Sequence, residues 1–106
     1  MTYKVLPPIE IQKLSQEKTI QIIDVRTPQE RATGYIQNSI HINVNHPDFE
    51  TKLKALDPSK STVFYCQSGV RAGKAATIAE KSGFTEIYSI EGGMSGWNSK
   101  KMPVQY

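Results

Sequence analysis

The apolar residues of this chain fall into short runs that are separated by segments with helical spacing. Residues 19–25 form a nearly continuous apolar run, which is typical of a strand buried on both faces of a parallel sheet. Residues 62–65 form a second run, whose β-branched and aromatic side chains favour a buried strand. Shorter or alternating runs at 3–6, 36–44 and 85–90 predict three further strands.

Helices are predicted in the segments between these strands. Thr27-Pro28-Gln29-Glu30 is a capping box with proline at the first helical position, and Gly34 would end the helix that it starts. The longest predicted helix ends at Gly83 and carries alanines on one face, which allows a close approach to a sheet. The predicted helices start at Pro7-Pro8 and otherwise cover residues 28–34, 47–56, 72–81 and 92–98.

Strand and helix alternate almost throughout the chain. This order predicts an α/β domain of three layers, with a central, mostly parallel five-stranded sheet flanked by helices. A chain of 106 residues is near the common size of one domain, so residues 1–106 are expected to form a single domain. Neither an internal repeat nor a low-complexity linker divides it.

The charge and hydropathy patterns argue against nucleic-acid and membrane partners. The net charge is +3 with an isoelectric point near 9.0, but the lysines are scattered and only Lys100-Lys101 are adjacent. No run of about 18 apolar residues is present to span a membrane. Residues 1–14 contain no apolar core of a signal peptide, so the predicted compartment is the cytoplasm, or the periplasm if a leader has been removed.

Few residues suit a disulfide, a metal site or a dinucleotide site. Cys66 is the only cysteine, so the chain cannot form an internal disulfide. With His41 and His46 as the only histidines, a closed zinc site is not expected. Gly92-Gly93 and Gly96 do not match the dinucleotide-binding pattern, and we expect them to turn the backbone near the cysteine loop.

Cys66 occupies a chemically distinctive point of the predicted fold. It follows a buried strand and precedes the longest helix, and ligands of open α/β sheets bind beyond the carboxyl ends of the strands. Loop N–H groups and the helix N-terminus can converge there and favour an anion such as a thiolate. Ser68 offers a hydroxyl donor, Arg71 a guanidinium, and Gly69 a position where positive φ carries no steric penalty. A lone cysteine at a strand end is equally often a small buried apolar residue.

The motifs of this chain resemble those of rhodaneses, a family of sulfurtransferases. The active loop of that family has the form Cys-x-x-x-x-Arg between a strand and a helix, and Cys66 to Arg71 fit this form. The resemblance extends over about residues 20–97. The other matching segments are Asp24-Val25-Arg26 with Glu30 and Gly34-Tyr35-Ile36, and Glu91-Gly92-Gly93-Met94-Ser95-Gly96-Trp97.

The resemblance implies a reaction and a set of site residues. Cys66 would be the catalytic nucleophile that takes sulfur from a small anionic donor such as thiosulfate and carries it as a persulfide. The acceptor would be cyanide, a cellular thiol or a protein, and no metal or organic cofactor is implied. Arg71 would hold the anion, and the loop amides would cradle the terminal sulfur. The implied substrate-binding residues are Gln67, Ser68, Gly69, Val70 and Arg71.

Two positions depart from the usual pattern of the family. Many relatives carry Arg or Lys directly after the cysteine, where this chain has Gln67. The neutral side chain predicts weaker use of a doubly charged donor than a basic residue would give. Many relatives also have His where Tyr35 stands, a change that is expected to affect packing alone.

Other classes of protein fit parts of the pattern. A phosphatase or an arsenate reductase would also use a cysteine loop on an oxyanion, although the loop of the related phosphatases is one residue longer. A non-catalytic binding module of the same fold is a further alternative, against which the intact loop counts. His41 or His46 could serve as a base for Cys66 as in papain-like proteases, but those proteins are much larger chains.

Asp24 and Arg26 lie at the mouth of the predicted site, at the end of the strand at residues 19–25. They could shape the entrance to the cysteine. A structural role is the expected one, because ion pairs at such turns are common. In that role Arg26 would pair with Glu30, and Asp24 would accept hydrogen bonds from loop amides.

Overall fold

The structure, a computed structural model, describes residues 2–106. Its centre is one sheet of five strands, and every pair of neighbouring strands is parallel. The strands are β1 (Thr2–Leu6), β2 (Ile20–Asp24), β3 (Ile40–His41), β4 (Ser61–Tyr65) and β5 (Glu86–Ile90). Their order across the sheet is β1-β5-β4-β2-β3, so β4 is central and β1 and β3 form the edges.

Helices connect the strands, as the alternation in the sequence predicts. Thr27 caps the second helix through the predicted capping box: its hydroxyl accepts from the Glu30 N–H at 3.3 Å, and the Glu30 carboxylate accepts from the Thr27 N–H at 3.1 Å. The helices are α1 (Pro8–Glu17), α2 (Pro28–Arg31), α3 (Phe49–Lys54), α4 (Val70–Lys81) and α5 (Gly93–Ser99). Within residues 2–106, no helix has the length and apolar character needed to cross a bilayer.

The sheet is covered on both faces, which gives the three predicted layers. Residues of α3 and α4 pack on one face, and residues of α1 and α5 pack on the other. Strand β4 is buried along its whole length, and its side chains alternate between the two clusters. Phe64 and Cys66 face α3 and α4, whereas Val63 and Tyr65 face α1 and α5.

The buried face of α4 is made of alanines, which lets the helix lie close to the sheet. The four residues that the sequence placed on this face are all buried in the same cluster as Cys66. Because Cys66 belongs to this cluster, the start of α4 is held directly against the end of β4. The residues are Ala72, Ala75, Ala76 and Ala79.

The third strand is much shorter than the sequence pattern predicts. The strand expected at 36–44 is reduced to two residues that pair with the end of β2, and Ile40 is 38% exposed. Ile42 and Val44 are nevertheless buried, because single hydrogen bonds from their N–H groups to Asp24 and Val25 keep the chain close to the core. The alternation therefore reflects an extended edge segment, not a full strand.

Several helix boundaries also differ from the prediction: α2 ends at Arg31, and α5 is shifted by one residue. Helix α3 is shorter than the predicted 47–56, although Phe49 and Leu53 are buried as expected. Helix α4 begins at Val70, two residues before the predicted start at residue 72. The positive φ of Gly69 allows the chain to turn sharply and enter the helix early, which places Arg71 inside the first turn.

Candidate active site

Cys66 lies directly after β4, at the carboxyl end of the central strand. The residue is fully buried, and its thiol is not part of a disulfide. The backbone N–H of Gly69 donates a hydrogen bond of 2.9 Å to the Cys66 Sγ. Gly69 has φ +109° and precedes the first residue of α4, so the loop curls back on the sulfur just before the helix begins. This arrangement favours negative charge on the sulfur.

The remaining loop residues differ in how far solvent reaches them. Gln67 is partly buried, whereas Ser68 is exposed. Val70 is 81% exposed although it is apolar and lies next to the cysteine loop. Arg71 is partly exposed, on the same side of the molecule as Glu30. The structure thus brings all of the predicted site residues together around one turn.

Helix α5 supports the loop from behind. The N–H of Met94 donates to the carbonyl of Cys66 at 2.7 Å, and the N–H of Ser95 donates to the carbonyl of Gln67 at 3.1 Å. Gly93 has φ +58°, and a Cβ at this position would overlap the carbonyl oxygen of Cys66. The first turn of α5 can therefore approach the loop only because residue 93 has no side chain. The loop carbonyls are directed to α5, which agrees with the predicted role of this glycine-rich segment in backbone turning.

Arg71 is held by Glu30, which stands 41 residues earlier in the chain. Its Nη1 and Nη2 atoms donate to the two carboxylate oxygens of Glu30, each at 2.7 Å. Hydrogen bonds from Arg71 are the main cause that lowers the pKa of Glu30 from 4.5 to about 2. In turn, Glu30 is the main cause that raises the pKa of Arg71, to which the charge of the nearby Cys66 also contributes. The expected pairing of Glu30 with Arg26 is wrong.

Arg26 pairs instead with Asp24, and both side chains are fully buried. Nε of Arg26 donates to Asp24 Oδ1 at 3.0 Å and Nη2 donates to Oδ2 at 2.9 Å, while the backbone N–H of Arg26 also reaches Oδ1. Burial alone would raise the pKa of Asp24, but the hydrogen bonds and the charge of Arg26 outweigh it and lower that pKa. The expectation that Asp24 accepts from a loop amide is confirmed.

The guanidinium of Arg26 extends the network to the cysteine loop. Its Nη1 donates to Oε1 of Gln67 at 3.2 Å. The Gln67 amide then donates through Nε2 to the hydroxyl of Ser95, also at 3.2 Å. The Asp24 carboxylate further accepts from Tyr65 and from Arg31. The buried ion pair of Arg26 with Asp24 is therefore directly connected to the side chain that follows Cys66.

Neither histidine forms a hydrogen bond with Cys66 in the part of the chain that the structure describes. His41 lies in β3, and its Nε2 contacts the backbone carbonyl of Arg26 at 2.7 Å. His46 lies beside Asp48 at the start of α3. Among the residues described, Gly69 supplies the one hydrogen bond to the Cys66 sulfur. A base of the papain type is therefore not in place.

A cavity of about 350 Å³ lies on the α1 and α5 face and is lined partly by Ile11, Ile22, Ile36 and Trp97. No residue of the segment 66–71 lines it. No group of three or more metal-ligating side chains is found in the part of the chain that the structure describes.

Sequence reasoning found the loop but missed the residues that hold it. Glu30 was expected to cap a helix and to pair with Arg26, and not to pair with Arg71, because a pair separated by 41 residues leaves no local signal. Ser95 was missed because its side chain contacts the loop only after α5 has docked. The glycine cluster at 92–96 was the one available signal that α5 lies close to another backbone.

The chain belongs to the rhodanese-like domain family, whose model matches residues 8–100. Thiosulfate sulfurtransferase GlpE of Pseudomonas aeruginosa is 34% identical over 100 residues, which cover 92% of this chain and 86% of that protein. The tRNA uridine(34) hydroxylase of Aster yellows witches'-broom phytoplasma is 34% identical over 93 residues. These cover 84% of this chain but 30% of that relative's length.

The fold comparison agrees with the family assignment. The crystal structure of a rhodanese-related protein from Thermoplasma volcanium superposes with a TM-score of 0.86 at 27% identity. The match covers 97% of this chain and 98% of that one. The resemblance to rhodaneses and the three-layer fold that the sequence predicted are therefore confirmed. The family contains sulfurtransferases as well as proteins named for other reactions.

Proposed function

We propose that this protein is a rhodanese-type sulfurtransferase that carries a sulfane sulfur as a persulfide on Cys66. The observation that carries the proposal is the hydrogen bond from the Gly69 N–H to the Cys66 Sγ at 2.9 Å, in a loop that joins the central strand to a helix. This geometry favours a thiolate nucleophile, because a hydrogen-bond donor directed at the sulfur stabilises its charged form. Thiosulfate is the proposed donor.

The proposed reaction has two displacements. The Cys66 thiolate attacks the outer sulfur of thiosulfate, a new S–S bond forms, and the S–S bond of thiosulfate breaks as sulfite leaves with the bonding electrons. The enzyme then holds a persulfide. A nucleophile such as cyanide or a thiolate attacks the terminal sulfur and regenerates the Cys66 thiolate. Atoms and electrons balance without a metal or an external oxidant.

The loop residues have distinct proposed tasks. The backbone amides of residues 67–71 bind the terminal sulfur, and the Gly69 amide already donates to the Cys66 Sγ to which that sulfur would be attached. Arg71 holds the sulfonate of the donor or the departing sulfite with the donors that Glu30 leaves free. Glu30 accepts hydrogen bonds from two nitrogens of Arg71 and so fixes this side chain in place. Little side-chain entropy is therefore lost when the anion binds.

The charge around the loop suits an anionic substrate. The three guanidiniums of Arg26, Arg31 and Arg71 outnumber the carboxylates of Asp24 and Glu30, with which they form ion pairs. A partly buried excess of positive charge attracts anions more strongly than an equal charge in open water. It also stabilises the negative charge that the persulfide bears. A small thiol, cyanide or a cysteine of another protein is the proposed acceptor.

A phosphatase or arsenate-reductase activity is the alternative to the proposed sulfurtransferase activity. The loop has four residues between Cys66 and Arg71, which makes a smaller ring than that of the related phosphatases. A ring of this size suits a single sulfur atom better than a tetrahedral oxyanion.

The test is turnover of thiosulfate and cyanide to thiocyanate, run in parallel with hydrolysis of p-nitrophenyl phosphate. Thiocyanate formation that disappears in Cys66→Ser supports the proposal, whereas phosphate release without thiocyanate formation would overturn it.

A further inference from the structure

The side chain that follows the nucleophile is tied to two other elements. Gln67 accepts a hydrogen bond from Arg26 at the end of β2 and donates one to Ser95 in α5, each at 3.2 Å. Both distances lie within the usual range for N–H···O hydrogen bonds. The cysteine loop is thereby connected on one side to a strand end and on the other to a helix.

The orientation of the Gln67 amide follows from its neighbours. A guanidinium can only donate, so the oxygen of the amide must face Arg26 and the nitrogen must face Ser95. Arg26 is fully buried, and its Nε and Nη2 donors are engaged by Asp24 and by the carbonyl of Gly34. Gln67 therefore supplies an acceptor for the Nη1 group of a buried cation, and no rotation of its side chain toward solvent preserves both bonds.

We propose that the Gln67 side chain is a positioning residue of the sulfur-transfer site: by bridging Arg26 and Ser95 it fixes the first residue of the cysteine loop. Its backbone carbonyl is already bound by the Ser95 N–H at 3.1 Å, so backbone and side chain are held at the same helix turn. With this residue fixed, the chain reaches Gly69 in the conformation that directs its N–H at the sulfur. This inference rests on the proposed function for its kinetic consequence, but not for its effect on thiol reactivity.

The bridge requires a neutral side chain that both accepts and donates. A Lys or Arg at this position could not accept from Arg26, and its charge would be repelled by that guanidinium. A basic side chain would instead turn outward, toward the position of the donor. The amide of Gln67 thus makes the loop more rigid, but it does not provide the direct contact with an anionic donor that a basic side chain would make.

The test uses Gln67→Met and Ser95→Ala, singly and together, with Gln37→Met as a matched control at an exposed position outside the site. Methionine keeps the length of glutamine and removes both hydrogen bonds. The first readout is the rate at which iodoacetamide alkylates Cys66 as a function of pH, which does not depend on sulfur transfer. The second is kcat and KM for thiosulfate with cyanide. Urea unfolding and circular dichroism establish that each variant is folded.

We expect Gln67→Met to lower kcat about two- to ten-fold, as the loss of hydrogen bonds predicts, with little change in KM. Its rate of alkylation at neutral pH should fall below that of the parent. Ser95→Ala, at an exposed site where folding is not at risk, should cause a smaller change of the same kind. The double variant should resemble Gln67→Met, because Ser95 has lost its partner there already.

Three results would overturn the inference. The first is that Gln67→Met has the same alkylation rate and the same kcat as the Gln37→Met control. Its effect could fall on KM alone while Ser95→Ala has none, which would mean that Gln67 contacts the donor directly. The two changes could also be fully additive, which would mean that no bridge joins the residues. If sulfur transfer is absent from the parent, the proposed function fails, but the alkylation profiles still decide the inference.

Discussion

Glu30 and Arg71 form a two-pronged ion pair that links the cap of α2 to the first turn of α4, with both hydrogen bonds at 2.7 Å. The same carboxylate also accepts hydrogen bonds from the N–H and the hydroxyl of Thr27, so the cap of α2 and the side chain of Arg71 share one acceptor. Parallel hydrogen bonds between a guanidinium and a carboxylate fix direction as well as distance. Arg71 is therefore held in place before a substrate arrives.

The stability of the protein should depend on pH through Glu30. Its folded-state pKa of about 2 lies below its ordinary value of 4.5, so the stabilisation is complete above pH 4.5 and is lost as the pH falls toward 2. The pair is partly exposed, and solvent screening limits its contribution to about 1–2 kcal/mol. Glu30→Gln should lose this amount in urea unfolding at pH 7.

The comparison of parent and Glu30→Gln at pH 3 provides the control for this prediction. At that pH the unfolded parent has largely taken up a proton at Glu30, so the difference between the two proteins should shrink. A difference that is as large at pH 3 as at pH 7 would mean that the pair does not account for the lowered pKa.

Gly93→Ala should disrupt the support of the cysteine loop. Residue 93 has positive φ, and a Cβ there would overlap the carbonyl of Cys66 and lie 2.9 Å from that of Gln67. We expect a cost of at least about 2 kcal/mol in the free energy of unfolding and a large loss of sulfur transfer.

Gly73→Ala is the matched control for Gly93→Ala. Gly73 lies inside α4, and a Cβ at that position would meet no atom within 4 Å. Alanine should therefore stabilise the protein by about 0.5–1 kcal/mol and leave turnover unchanged. Equal effects of the two substitutions on stability would show that the close approach of α5 is not needed.

Thr27→Ala should affect stability more than activity. The substitution removes the hydroxyl that caps α2 and should cost about 1 kcal/mol in urea unfolding. Arg71 keeps both of its hydrogen bonds to Glu30, so sulfur transfer should remain largely intact. Abolished turnover in a folded Thr27→Ala protein would mean that this corner acts in the reaction.

Gln67→Lys should separate binding from turnover. A lysine that leaves the bridge and turns outward would approach the donor, and two units of donor charge at about 6 Å predict roughly a ten-fold lower KM for thiosulfate at low salt. The gain should shrink at high ionic strength. The lost bridge should hold kcat at or below the parent value. A KM that equals that of the parent at low and high salt would mean that residue 67 does not approach the donor.

The sequence was informative where a local pattern determines the structure. The apolar run before Cys66 predicted a buried strand, and Gly69 was recognised as a position that could adopt positive φ without a steric penalty. Both depend on neighbouring residues alone. The Thr27 capping box was predictable for the same reason.

Long-range contacts could not be predicted in this way. The sequence favoured Arg26 as the partner of Glu30, but Arg26 is buried against Asp24, and Glu30 pairs with the distant Arg71. Likewise, alternation at Ile40, Ile42 and Val44 cannot distinguish a paired strand from an extended edge segment. These outcomes are set by the packing of distant elements and not by local preference.

The most direct test of the central claim is the intact mass of the protein after incubation with thiosulfate. The account predicts that the parent gains the mass of one sulfur atom, that cyanide removes it, and that Cys66→Ser gains nothing. A low-molecular-weight persulfide should load the parent in the same way. Unchanged mass with both donors, or sulfur transfer by Cys66→Ser at the rate of the parent, would contradict a persulfide on Cys66.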